Sequence, residues 1–93
     1  MAHARVVEFE GVSRERMDEM NREMEEGGRP DDVPATEIIV LHDGADKSLV
    51  ILFFDSEDDY ARGDEALNAM PAGDTPGRRT SVRKYEVAAR MSG

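Results

Sequence analysis

Residues 49–54 read Leu-Val-Ile-Leu-Phe-Phe, an unbroken apolar run rich in the β-branched and aromatic side chains that suit a pleated surface. Six residues are short for a helix, and Asp43-Gly44 before the run and Asp55-Ser56 after it are stop signals, so the run reads as a strand. A strand turns alternate residues to opposite faces. Leu49, Ile51 and Phe53 therefore need one apolar cover and Val50, Leu52 and Phe54 another. A chain of 93 residues makes one domain, with an ordered body expected over about 5–90, and is small enough that association is expected to complete its core.

The remaining elements arrange themselves about this strand. Val6, Val7 and Phe9 among Arg5, Glu8 and Glu10 make a half-polar first strand whose more apolar face carries Val7 and Phe9. Ser13 stands at an N-cap, Val12 and Met17 have the spacing of a hydrophobic staple, and Met17, Met20 and Met24 form the apolar stripe of a helix that Gly27-Gly28 and Pro30 end. Residues 36–42 form a second strand joined to the central one by Asp43-Gly44-Ala45-Asp46-Lys47, which predicts a hairpin. Ser56 caps a second helix with Asp59 at the capping-box position. Tyr60, Gly63, Leu67 and Met70 are its inward stripe, and Gly63 is expected to let it approach the sheet closely. After a breaker-rich loop over 71–77, residues 79–90 alternate with period two and read as a long last strand.

Composition narrows the functional classes. Without cysteine there are no disulfides, thiolate metal sites or cysteine nucleophiles. A net charge of -9 argues against nucleic acid, and no apolar run approaches the roughly 20 residues that span a bilayer, nor does the N-terminus resemble a signal peptide, so the chain reads as cytoplasmic. His3 and His42 have no second histidine at ligand spacing, and Asp55, Glu57, Asp58 and Asp59 lack the pattern of a calcium loop; no metal is expected. Ser13 and Ser56 are used as caps, leaving no serine for a nucleophilic triad.

The element order β-α-β-β-α-β is the split βαβ pattern of ferredoxin-like α+β domains, with strand order 4-1-3-2 in an antiparallel sheet and two helices on one face. Over nearly the whole chain, from Val6 to Ala89, this order and the apolar face left uncovered resemble the dimeric α+β-barrel superfamily. That superfamily includes antibiotic-biosynthesis-type monooxygenases, stress-responsive barrel proteins, muconolactone-isomerase-like proteins and YCII-like proteins. The resemblance implies a homodimer whose sheets pack face to face with the helices outside. This chain has no Trp, and its asparagines are Asn21 and Asn68. Haem-binding members use a helical histidine; with His3 in the tail and His42 at a strand end, no haem or other cofactor is expected. His42-Asp43 matches in sequence the His-Asp pair of YCII-like members, although adjacent residues on a strand point oppositely.

Two functions remain open on this reading. One is a non-catalytic, small-molecule-binding barrel dimer. The other is a cofactor-free oxygenase-like or isomerase-like enzyme acting on a small aromatic or polyketide-type substrate, with His42, Tyr60, Tyr85 and Arg79 as candidates. The strongest charge segregation sets Arg78, Arg79, Arg83, Lys84 and Arg90 against Glu86 alone. These cations either grip an anionic ligand or neutralise Glu8, Glu10 and the acidic helices. A small aromatic or aliphatic anion is expected between the second helix and the sheet, with Tyr60 and Leu67 as apolar wall, Gly63, Gly73 and Gly77 allowing close approach, and Arg78 or Arg79 supplying charge.

Overall fold

The fold is described from a computed structural model, covering residues 2–27, 33–69 and 77–91. The elements run β1 (His3–Glu10), α1 (Arg14–Gly27), β2 (Glu37–His42), β3 (Ser48–Phe54), α2 (Glu57–Asn68) and β4 (Arg78–Glu86). All strand pairs are antiparallel and the sheet order is β2-β3-β1-β4, which is a ferredoxin-like α+β fold. The residues expected to end α1 at Gly28 and Pro30, Met70 of the α2 stripe, and loop residues 71–76 lie outside the described residues.

Alternation on the strands assigns the two faces. Arg5 bonds Asp64 of α2, while Val7 and Phe9 are buried in one cluster with Val12 and Met17 of α1, so the odd residues of β1 face both helices. Their partners on β3 are the even residues: Arg5 lies opposite Leu52, and Val7 opposite Val50. Leu52 and Phe54 are buried with Val33, Ala35 and Tyr60, and Val50 packs against both clusters, joining them into one core. Val33 and Ala35, on the segment that leads into β2, close the core beside β3 with their small apolar side chains.

Local signals account for the element ends. The Ser13 hydroxyl accepts from Arg16 N–H at 3.1 Å and the Ser56 hydroxyl from Asp59 N–H at 3.1 Å, each satisfying a donor that the first helical turn leaves open. The Asp59 carboxylate takes Arg62 at 2.6 Å. In the β2–β3 turn Asp43 accepts from Ala45 N–H at 2.8 Å and Lys47 N–H at 3.2 Å, and Gly44 takes a positive φ of 88°. β4 stops at Glu86, short of the residue 90 that its period-two pattern predicts. Its neighbour β1 begins at His3, and among the described residues the pairing ends with a last bond from Val87 N–H to Ala2 O.

One irregularity redirects a functional candidate. Glu8 pairs with Ser81 but Phe9 pairs with Arg79, so Thr80 is an extra residue on β4, a β-bulge. Simple alternation puts Arg79 with Ser81, Arg83 and Tyr85; the bulge turns it to the helix side instead.

Candidate functional site

The helix side of β1 and β4 brings a group of polar side chains against α2. Arg5, inward on β1 between the helices and the sheet, is only 3% exposed. Its Nε donates to Asp64 Oδ1 at 2.9 Å and its Nη2 to Asn68 Oδ1 at 3.0 Å. Asn68 Nδ2 in turn donates to Asp64 Oδ2 at 3.3 Å, and Arg79 Nη1 donates to the same Asn68 Oδ1 at 2.8 Å. Asp64 and Asn68 are four residues apart and so share one face of α2, which is why two strand arginines reach both.

Tyr60, one turn before Asp64, is 7% exposed and meets the Phe54 ring edge-on at a centroid distance of 5.5 Å. Lys84 lies with Nζ 4.9 Å from the Tyr60 centroid and 3.1 Å from Glu57 Oε1. Burial pushes the Tyr60 hydroxyl above its ordinary pKa; the Asp64 carboxylate adds to this, and Arg5 and Lys84 oppose it. The hydrogen bond from Lys84 and its charge hold Glu57 below the usual carboxylate value.

The sequence candidates are thus divided. Tyr60 and Arg79 stand on the helix side, and Leu67 packs against the cluster that holds Tyr60, but Tyr85 lies opposite Ala4 on the other face and is 49% exposed. Arg78 pairs with Glu10 at 2.6 Å, away from Asn68. His42 sits at the end of β2, where Gly44 N–H donates to Nδ1 at 3.0 Å, so the ring proton is on Nε2 and is donated to Val12 O at 2.7 Å. Both ring nitrogens serve the backbone, locking the β2–β3 turn to the segment before α1. Asp43 serves the same turn, and the Ala45 and Lys47 amides hold its carboxyl below the ordinary value.

Sequence reasoning missed Arg5. The signal was present, since alternation from Val7 and Phe9 puts Arg5 on the inward face, and an inward arginine requires a partner.

Among the described residues no helix lies on the opposite face of the sheet. Its rows, read from β2 across to β4, are Glu37-Phe53-Ala4-Tyr85, Ile39-Ile51-Val6-Arg83 and Leu41-Leu49-Glu8-Ser81. Leu41 is 48% and Leu49 36% exposed. Arg90 lies over the Phe53 ring at 4.8 Å and pairs with Glu37, covering one corner. At the hairpin end, Glu8, Leu41, His42, Asp43, Lys47, Ser48 and Leu49 line a cleft of about 360 Å³.

Among the described residues no group of three or more His, Asp or Glu side chains is placed to hold a metal ion, and no helix is long and apolar enough to cross a membrane. No family model and no curated protein matches this chain.

Proposed function

We propose that the chain acts as a homodimer joined through its open sheet face, a dimeric α+β barrel, and that this dimer is a non-catalytic binding protein for a small molecule. The open face carries the proposal: Ile39, Leu41, Leu49, Ile51, Phe53, Val6 and Tyr85 form one contiguous apolar surface, and the chain's own helices lie on the other side. A second copy is the natural cover because a two-fold axis lets the same patch complement itself, and a standard interface requires only about 800 Å² per partner. Polar residues Arg83, Glu8 and Ser81 border the apolar rows on the β1–β4 side, as the rim of such an interface does.

Non-catalytic binding is supported by the engagement of the acid-base candidates. Both nitrogens of His42 hold backbone groups, and Tyr85 and Tyr60 lie on opposite faces of the sheet, so no pair of them converges on one reacting atom. Mass spectrometry of the purified protein under native conditions tests the whole reading. The expected species is a dimer that carries a small molecule and releases it on denaturation.

A further inference from the structure

Two guanidinium groups meet on one neutral oxygen beside α2. Arg5 and Arg79 both donate to Asn68 Oδ1, and the carboxylate in contact with this group, Asp64, is engaged by Arg5 Nε and Asn68 Nδ2. Other cations of residues 78–90 meet carboxylates, Arg78 with Glu10, Lys84 with Glu57 and Arg90 with Glu37, while Arg83 on the opposite face has no carboxylate partner among the described residues. Among the described residues Arg79 has no carboxylate partner. Its side chain is exposed, and only one of its N–H donors is held by Asn68, so the rest of its planar fork is presented to solvent. Buried Arg5 adds a positive charge that water screens weakly.

Beside this fork is one exposed apolar side chain. Val82 pairs with Val7 and Arg79 with Phe9, so the bulge at Thr80 makes Val82 and Arg79 neighbours on the helix-facing side of β4, where Val82 remains 37% exposed. We propose that Arg79 binds the carboxylate of a small molecule whose compact apolar body rests on Val82 alongside α2. Two guanidinium cations against one carboxylate leave a single positive charge, which matches a monoanion, and the planar fork matches a planar carboxylate. The inference rests on the small-molecule-binding reading but is independent of dimerisation.

Benzoate is the probe and benzamide, of the same shape without the charge, its control. In titrations of ¹⁵N-labelled full-length protein, benzoate shifts the Arg79 Nε–H and Asn68 side-chain amide signals, whereas benzamide leaves them in place. Arg79→Ala weakens benzoate about tenfold or more. Asn68→Asp supplies the missing negative charge from within and weakens benzoate by a similar factor, with no fall in the thermal midpoint; Arg83→Ala, on the opposite face, binds as the wild type does. Benzoate that leaves Arg79 unshifted, or an Asn68→Asp variant with undiminished affinity, overturns the proposal. A neutral molecule retained in native mass spectra, together with an unresponsive Arg79, sinks this site and leaves the binding function standing. Benzoate bound as described to a protein that sediments as a monomer removes the dimer and leaves the site.

Discussion

Gly63 stands directly over the ring of Phe54: a Cβ built on the glycine falls 2.5 Å from Phe54 Cε1 and 2.7 Å from Cζ. Phe54 is fully buried, so the ring has little room to move aside. Helix propensity alone would make Gly63→Ala stabilising by about 1 kcal/mol, and overpacking costs about 1–3 kcal/mol. We expect a net loss of up to about 2 kcal/mol by chemical denaturation. A stabilised Gly63→Ala protein would mean that α2 rides higher on the sheet than this packing requires.

Asp64→Ala is expected to destabilise the fold more than Arg5→Met. Removing the carboxylate leaves Arg5, 3% exposed, without its ionic partner, a change that costs about 3–5 kcal/mol for a fully buried pair. With the Asp64 side chain 35% exposed, water replaces part of the loss, and we expect about 2–3 kcal/mol. Arg5→Met keeps the volume, removes the buried charge and leaves Asp64 to water, at about 1 kcal/mol or less. Urea denaturation of both variants measures the order, and the reverse order would refute it.

Much of this was legible in the chain. The doubly apolar run at 49–54 demanded an interior strand, Ser13 and Ser56 marked both helix starts, and Gly63 announced a close helix–sheet approach. The sequence did not say which set of β3 residues faces the helices, because Leu49, Ile51 and Phe53 are as apolar as Val50, Leu52 and Phe54. Nor did it show that Arg79 changes face: one extra residue at Thr80 inverts alternation, and its composition is that of an ordinary strand residue. Arg5 was on the right face by parity, but its partner Asp64 lies 59 positions away and is one of many acidic residues. His42 read as a possible base because its ring partners, Val12 O and Gly44 N–H, are backbone groups common to every sequence.

The β2–β3 turn should weaken in acid through Asp43. Its folded-state pKa is depressed by the Ala45 and Lys47 amides, so its contribution is present above the ordinary carboxylate value of 3.8 and is lost as pH falls through the lower folded value. The amide proton shifts of Ala45 and Lys47 should titrate together below that ordinary value, and Asp43→Asn should abolish this step. Amide shifts that stay flat through the acid range would contradict the assignment.

Neighbouring residues on β3 should respond oppositely to charge. Leu52 is 4% exposed beneath the helices, and Leu52→Asp places an unpaired carboxylate in the core at a cost of several kcal/mol. Circular dichroism should report loss of cooperative unfolding. A folded Leu52→Asp protein would put the helices on the wrong face.

The open face is where the account is most directly tested, through Ile51 at the centre of its apolar rows. Sedimentation velocity at micromolar concentration is predicted to give a dimer for the wild-type chain, and a folded monomer for Ile51→Arg, because the guanidinium is accommodated in water but not between two sheets. A wild-type chain that sediments as a monomer, or an Ile51→Arg variant that remains a dimer, would contradict it.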